Sequence, residues 1–238
     1  RLAERWRAGS VFLAGDAAHT MTPFLGQGGC SGLRDAINLA WKLDLVLRSE
    51  AGDGLLDTYE SERKPHVRVH IEGSDRIGAL AFIADPDAAA ARDRAYLSGQ
   101  APPAPAEPVL TSGLLDAGGG PVGGLGPQGM VRHQGKEGRF DDVAGWGFQL
   151  LAWDCNPAEY LRPGQLEFLQ RIGGVIAGIS NRQAAGLTYD AEGAYQRFFS
   201  EHDVQGLLLR PDFVVFGVAP SAADLPGLVG RLQARLHI

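Results

Sequence analysis

The residues best suited to chemistry stand near the start of the chain. A short apolar run at residues 11–14 ends in Gly15 and Asp16, and a glycine-rich stretch at residues 23–29 leads into a helical pattern. A carboxylate at the end of a buried strand can accept hydrogen bonds from ligand hydroxyls, because open α/β sheets bind ligands at that edge. Glycines allow close backbone approach, and a helix N-terminus offers unpaired N–H groups to an anion. Hydroxyls and an anion on one ligand indicate a nucleotide-like cofactor.

The spacing of these residues resembles the second flavin-binding motif of single-component FAD-dependent aromatic hydroxylases. The matching positions are Gly15, Asp16, Ala17, Ala18, His19, Pro23, Gly26, Gln27, Gly28, Gly32, Asp35, Ala36 and residues 38–43. Residues 56–65 resemble the segment that follows this motif in the family. Residues 155–157 and 198–212 resemble its C-terminal region more weakly. Within the family, the chain is most similar to the 3-(3-hydroxyphenyl)propionate hydroxylase type.

The resemblance implies cofactor-binding roles for Asp16, Pro23, Gly26, Gln27, Gly28, Gly29 and Cys30. By resemblance, Asp16 would bond the ribityl chain of FAD, and the Pro23 backbone would lie near the flavin ring. The N–H groups of Gly29 and Cys30 would face N1 and O2 of the ring. Reduced flavin is anionic there, so a helix N-terminus favours the reduced form. Many relatives carry Asn where this chain has Cys30, which weakens a side-chain hydrogen bond but leaves the backbone contact.

The family is one of monooxygenase enzymes, oxidoreductases that hydroxylate a phenolic or other aromatic substrate with FAD, NAD(P)H and O2. A strand–GxGxxG–helix unit for the ADP half of FAD is missing from the sequence. The one literal match, at residues 118–123, follows no predicted strand and begins no predicted helix. The chain also begins with Arg1 rather than Met. We therefore expect the C-terminal part of such an enzyme, inactive alone, and the residues identify no catalytic base.

Two other functions compete with this one. The chain could be a non-catalytic interaction fragment whose C-terminal part forms a homodimer. A thiol–disulfide oxidoreductase is disfavoured, because Ala158 stands where a Cys-x-x-Cys motif beginning at Cys155 would need its second cysteine. Cys155 is instead expected to be a packing residue.

Several histidines invite a catalytic or metal-binding interpretation. His19 is expected to order its loop rather than act as a base, since the sequence offers it no visible partner. Glu62, His66 and His70 share one helical face at i, i+4 and i+8. The catalytic zinc-protease pattern has a Glu beside its first His, where Val67 stands here, so we expect a solvent-exposed face and no metal.

The composition is that of a globular chain. The sequence has 238 residues, 45% of them hydrophobic, and a formal net charge of −6. The acidic balance disfavours nucleic acid as a partner, and the apolar runs are too short to cross a membrane. Two cysteines, Cys30 and Cys155, form no disulfide framework and favour a cytoplasmic location.

The elements that must position the motif follow from its flanks. Residues 11–14 predict a buried strand of a parallel sheet, and residues 30–48 predict an amphipathic helix. A second helix is predicted from about residue 55 to 64. Pro65 should end or kink it before helical periodicity resumes as far as residue 83.

The rest of the chain predicts an α/β fold in three parts. Residues 1–84 would be the C-terminal segment of a GxGxxG-type FAD-binding domain. Residues 85–130, of which 25 of 46 are Ala, Gly or Pro, predict a linker with one short helix at 88–97. Residues 131–238 show a β-α-β-α-β-β-α order, which predicts a small α/β sandwich. The family resemblance identifies this part as a redox-silent thioredoxin-like domain.

The boundaries within this last part are predicted from hydrophobic periodicity and turn residues. The predicted strands are 147–153, 175–179, 207–210 and 213–218, and the predicted helices are 163–171, 194–202 and 222–236.

Overall fold

The computed structural model describes residues 1–101 and 107–236. Residues 102–106 of the predicted linker and residues 237–238 of the predicted C-terminal domain lie outside the described residues. The fold class is mixed α/β, as predicted, since the chain combines helices with a seven-stranded mixed sheet. None of the described helices is both long and apolar enough to cross a bilayer.

The chain divides into two compact units. The first comprises Arg1–Ala36 and Glu60–Val109, and the second comprises Ile37–Tyr59 and Leu110–Ile238. These boundaries differ from the predicted ones at residues 84 and 131. The difference arises because residues 37–59 and 110–130 pack with the C-terminal sheet, as described below.

The first unit contains a short β-ribbon and long helical segments. Strand β1 (Arg7–Ala8) pairs antiparallel with β2 (Val11–Phe12). Helix α1 is Gln27–Leu47, α2 is Asp57–Ala81 and α3 is Pro86–Leu97. The first unit contains α1 as far as Ala36, α2 from Glu60, and all of α3.

The prediction of a buried parallel strand at residues 11–14 is wrong. Strand β2 has two residues and its Val11 side chain is 64% exposed. A strand becomes buried in a parallel sheet only when neighbours and helices cover both of its faces. Among the described residues, β1 is the only strand that pairs with β2.

Helix α2 continues through Pro65, where the sequence predicts an end or a kink. Proline removes one N–H from the helical hydrogen-bond ladder. Pro65 lies on the exposed side of α2, where water can satisfy the carbonyl concerned. Helix α3 falls at the predicted short helix and begins at Pro86, because Asp85 caps it by accepting a hydrogen bond from the Asp87 N–H.

The second unit is organised around one seven-stranded sheet of order β4-β3-β7-β6-β5-β8-β9. Its strands are β3 (Met130–His133), β4 (Lys136–Arg139), β5 (Gln149–Trp153), β6 (Val175–Ser180), β7 (Leu187–Asp190), β8 (Gly206–Leu209) and β9 (Val215–Ala219). Its helices are α4 (Phe140–Val143), α5 (Pro163–Arg171), α6 (Ala194–His202) and α7 (Leu225–Leu236). Strand β6 is parallel to both β5 and β7. Strand β8 is antiparallel to β5, and β9 is antiparallel to β8.

Both faces of this sheet are buried. Alternate residues of a strand point to opposite faces, and on β5 Leu150 packs in one hydrophobic cluster while Leu151 packs in the other. The first cluster includes Leu228 and Leu232 of α7, and the second includes Phe199 of α6. The apolar runs of the central strands therefore form the core.

Part of the predicted linker packs in this unit: Leu114 joins the first cluster, and Leu110 and Leu115 form a smaller cluster with Val214. The side chains of Leu110, Leu114 and Leu115 are buried. The N–H of Asp116 donates to the carbonyl of Phe216 at 2.7 Å, and the N–H of Gly123 donates to the carbonyl of Val215 at 3.0 Å. The second unit thus begins well before residue 131.

The turn between β8 and β9 carries a buried ion pair. The guanidinium of Arg210 is fully buried and donates to the two carboxylate oxygens of Asp212 at 3.0 and 2.6 Å. It also donates to the Leu114 carbonyl at 3.0 Å and lies 5.3 Å from the Trp41 ring. The amide of Asn38 donates to Asp212 at 2.9 Å. Polar groups of α1 and of the turn therefore satisfy one another inside the unit.

Candidate cofactor site

The turn that carries Asp16 lies directly against helix α1. Residues Gly15–Ala17 form one 3₁₀ turn, and the Asp16 side chain is exposed. Gly15 has a φ of +57°, and a Cβ added to Gly32 would lie 3.3 Å from the Gly15 Cα. A left-handed φ and such a close approach both favour glycine. This contact places Asp16 beside the second turn of α1.

A buried carboxylate of α1 fixes this turn. Asp35 accepts hydrogen bonds from the N–H of Gly15 at 3.1 Å, from Nε2 of His19 at 2.6 Å and from Nε of Arg63 at 2.9 Å. The Asp35 side chain is 0% exposed. Three donors from three parts of the unit thus converge on one anion, which holds both ends of the Asp16 turn.

The charge of Asp35 is stabilised by these donors. Burial by itself raises its pKa, but the hydrogen bond from His19 and the positive charge of Arg63 outweigh burial and lower the pKa below its usual value. Asp35 is therefore an anion at neutral pH. His19 is buried, its Nδ1 has no hydrogen-bond partner among the described residues, and its ring lies 5.4 Å from that of Trp6. The structure gives His19 contacts with the loop and with Asp35.

The glycine-rich stretch forms a turn and then the start of α1. Residues Pro23–Leu25 make a 3₁₀ turn, and Gly26 ends it with a φ of +65°. Helix α1 begins at Gln27, three residues before the predicted start at Cys30. Glycines suit this first turn, since its N–H groups make no intrahelical hydrogen bonds and strong helix formers are not needed there.

The N-terminus of α1 is open to a ligand. The N–H groups of Gln27, Gly28 and Gly29 come before the first hydrogen-bonded N–H of the helix, have no acceptor within it, and carry the positive end of its dipole. Gly29 and Cys30 are exposed, and among the described residues, apart from the backbone of α1 itself, no atom lies within 4 Å of the position that a Cβ would take on Gly29. The side chain of Gln27 is held by Arg34, whose Nη1 donates to its Oε1 at 2.9 Å.

Of the seven predicted site residues, five are exposed: Asp16, Pro23, Gly26, Gly29 and Cys30. Gln27 and Gly28 are half-buried. The sequence pattern assigned no roles to Arg34 and Arg63. Arg63 is almost completely buried, although it stands in the polar stretch 60–66, whose composition gives no signal of burial.

The prediction that Glu62, His66 and His70 form an exposed face is wrong. Their side chains are only 1%, 8% and 4% exposed. Helical spacing correctly places them on one face, but this is the inner face of α2. Burial, followed by the positive charges of Arg63 and neighbouring groups, lowers the pKa of His66 to about 3. No group of three or more potential metal ligands occurs within the described ranges.

Cys155 is a half-buried thiol in the second unit. Burial, and then the negative charges of Glu159 and Asp154, raise its pKa. The thiolate is the reactive form, so this environment disfavours nucleophilic chemistry. Its carbonyl lies against Gly178, where a Cβ would collide with it.

Comparison with protein families gives a match for each end of the chain. Residues 1–74 match the family model of an FAD binding domain, and residues 123–235 match that of the HcaD C-terminal domain. The first match includes the Asp16 turn and the N-terminus of α1. An FAD-type motif is therefore found by whole-domain comparison as well as by spacing.

Particular relatives carry the comparison further. The chain is 39% identical over 236 residues to the "probable NADH-specific resorcinol 4-hydroxylase" of Rhodococcus jostii (strain RHA1), which covers 97% of this chain and 44% of that protein. It is 34% identical over 278 residues to the 3-(3-hydroxy-phenyl)propionate/3-hydroxycinnamic acid hydroxylase of Mycolicibacterium smegmatis (strain ATCC 700084 / mc(2)155), covering 100% of this chain and 47% of that protein. The resemblance to aromatic hydroxylases is thus confirmed.

Solved structures agree. The flavin-dependent monooxygenase PieE in complex with FAD and substrate has a TM-score of 0.73 and 26% identity, covering 98% of this chain and 49% of that one. Aklavinone-11 hydroxylase with FAD and aklavinone has a TM-score of 0.69 and 29% identity, covering 98% and 45%. The chain spans slightly less than half the length of these relatives.

Proposed function

We propose that this chain is part of a monooxygenase that hydroxylates a phenolic ring with FAD, a nicotinamide electron donor and O2. The observation that carries the proposal is the open N-terminus of α1 beside the anchored Asp16 turn, within residues that match an FAD binding domain. The similar hydroxylases are named for resorcinol and for 3-(3-hydroxyphenyl)propionate. We therefore favour a phenol with a single ring as the substrate.

The residues present fit the ring end of FAD. The exposed carboxylate of Asp16 would accept hydrogen bonds from the ribityl hydroxyls, and the backbone of Pro23 would line the ring. The N–H groups of Gly29 and Cys30 would face N1 and O2, where the helix dipole would stabilise negative charge. When bound, FAD supplies the electron transfer and oxygen activation. The seven predicted residues therefore share one role, which is to bind and orient this end of the cofactor.

The second unit has a supporting role in this proposal. Strand β5 is parallel to β6 and antiparallel to β8, which is antiparallel to β9. This pairing, with α5, α6 and α7, supports a thioredoxin-like domain for residues 131–238. The raised pKa of Cys155 and the Ala at position 158 support its redox silence. A cytoplasmic location and a homodimer are also part of the proposal.

Flavin binding tests this function most directly. FAD is titrated into the purified chain while the visible spectrum is recorded, for wild type, Asp16→Ala and Asp142→Ala. Asp142 is an exposed carboxylate of the second unit and serves as the matched control. We expect a perturbed flavin spectrum for wild type and the control. Asp16→Ala should weaken binding about tenfold or more, since hydrogen bonds to a charged group contribute roughly 1.5–3 kcal/mol.

A wild-type chain that leaves the FAD spectrum unchanged would contradict cofactor binding by this chain. It would leave two explanations: the ADP half of FAD is bound outside this chain, or the chain is the alternative, a non-catalytic fragment that mediates dimerisation. The mass of the chain in solution, measured in parallel, then decides whether that alternative holds.

A further inference from the structure

Two small residues of helix α2 lie under the glycine-rich loop of the candidate site. Ser74 and Gly78 are buried and lie one helical turn apart. The resemblance assigns no role to either of them, and Gly78 lies outside the residues that match the FAD binding domain.

Ser74 holds the residue that precedes Pro23. Its hydroxyl donates to the carbonyl of Thr22 at 2.6 Å, and the two hydroxyl oxygens are 2.7 Å apart. The Thr22 hydroxyl also donates to Oδ1 of Asp75 at 3.2 Å. Both polar ends of Thr22 are therefore fixed to one turn of α2.

Gly78 leaves space for the side chain of Phe24, the residue that follows Pro23. A Cβ added to Gly78 would lie 2.5 Å from Cε2 and 2.7 Å from Cδ2 of Phe24. The Phe24 ring also packs edge-to-face against the Phe82 ring, with centroids 5.6 Å apart. Glycine inside a helix costs stability relative to alanine. Here glycine at position 78 allows the Phe24 ring to pack closely on the helix.

We propose that Ser74 and Gly78 are positioning residues, which set the conformation of residues 22–26 and of the first turn of α1. This inference rests on the proposed function, because that loop and turn are the part that would face the flavin. Pro23 lies between the two attachment points, Thr22 and Phe24. A displacement of Phe24 therefore also shifts the Pro23 backbone and Gly26, the residue immediately before α1.

Gly78→Ala tests the proposal, with Gly230→Ala as its control. Gly230 lies in helix α7, and in the part of the chain that the structure describes, the backbone of α7 itself aside, no atom lies within 4 Å of the position that its Cβ would take. The same substitution there therefore adds a methyl group without a collision. Amide hydrogen exchange is measured without FAD for Gly26, whose N–H donates to the Pro23 carbonyl at 2.9 Å, and for the hydrogen-bonded amides of residues 30–34 at the start of α1. We expect exchange to accelerate by about tenfold or more in Gly78→Ala and to stay unchanged in Gly230→Ala, because overpacking opens the loop locally.

A second variant separates positioning from general damage to the helix. Gly78→Ala combined with Phe24→Leu leaves room for the new methyl group, so exchange should return toward the wild-type rate. The same variants are titrated with FAD. Gly78→Ala should weaken FAD binding and shift the bound spectrum, while Gly230→Ala changes neither of them.

Unchanged exchange in Gly78→Ala overturns the proposal, and so does accelerated exchange that the double variant fails to reduce. Where wild type binds FAD, an unchanged affinity and spectrum in Gly78→Ala overturns it as well. A wild type that binds no FAD counts against the proposed function. Exchange that rises in the single variant and falls in the double one supports the positioning role with or without FAD.

Discussion

Replacing Asp35 by Asn tests whether one buried carboxylate holds the turn of the candidate site. The substitution keeps the size of the side chain but removes the charge that faces Arg63 and His19. Two charge-assisted hydrogen bonds are weakened, each contributing roughly 1.5–3 kcal/mol. Removing one partner of a buried ion pair costs about 3–5 kcal/mol. We therefore expect the first unit to lose about 3–5 kcal/mol of stability.

The assay must measure the two units separately. Urea unfolding of wild type and Asp35→Asn is followed by peptide-resolved hydrogen exchange, which gives a free energy of opening for each segment. Protection should fall at residues 13–19 and 60–70. Segments of the central sheet strands should keep their wild-type protection.

Asp44→Asn is the matched control, because Asp44 lies on the same helix in an exposed pair with Arg48 at 2.7 Å. An exposed pair contributes less than about 1 kcal/mol. Should Asp35→Asn cost no more than Asp44→Asn, the idea that Asp35 anchors the Asp16 turn is refuted.

The buried charged groups and the two thiols lead to four further predictions. The folded-state pKa of Asp35 lies below the usual 3.8. The ionised Asp35 therefore stabilises the folded chain fully above pH 3.8, and this stabilisation should be lost as the pH falls through the folded-state pKa. Acid unfolding of wild type compared with Asp35→Asn measures the loss. The unfolded chain protonates His66 near pH 6.5 and the folded chain only near pH 3, so stability should decrease as the pH falls between them, and His66→Gln should flatten that slope in denaturation series. Arg210→Met leaves Asp212 as a buried unpaired anion and should cost about 3–5 kcal/mol in urea unfolding, whereas Arg132→Met, from an exposed pair, should cost less than about 1 kcal/mol; equal losses would contradict this. Iodoacetamide at neutral pH should modify exposed Cys30 before half-buried Cys155, and peptide mass spectrometry that finds the reverse order would contradict it.

The fold of the second unit could be predicted where elements carry their own signals. Helices α5 and α6 begin and end at the predicted residues, because each has a clear amphipathic pattern and Pro163 suits a first helical turn. Strand β7 and the β3–β4 hairpin were not predicted. They are four residues long, and β4 is largely polar and exposed, so they have no apolar pattern that distinguishes them from loops.

The candidate site shows a similar division. The spacing of Asp16 and the glycines is local, so the sequence alone indicates a cofactor turn. Asp35 and Arg63 are 28 positions apart, and Thr22 and Ser74 are 52 apart. Such pairings depend on how α2 folds back on the loop, which no short pattern records. The inner face of α2 was misjudged for the same reason, since charged and polar residues are usually exposed.

The sequence motif that includes helix α1 has two separate roles, one in the candidate flavin site and one in a hydrophobic core. Its first residues, through Ala36, lie in the unit with the candidate flavin site, while Trp41 and Leu45 are packed in the hydrophobic core of the other unit. A sequence search that finds residues 38–43 therefore detects a core and its buried polar contacts, and only residues 15–32 report on cofactor chemistry. Substitutions intended to change the flavin environment therefore belong at residues 15–32. Substitutions at residues 38–43 would instead disturb the hydrophobic core of the second unit.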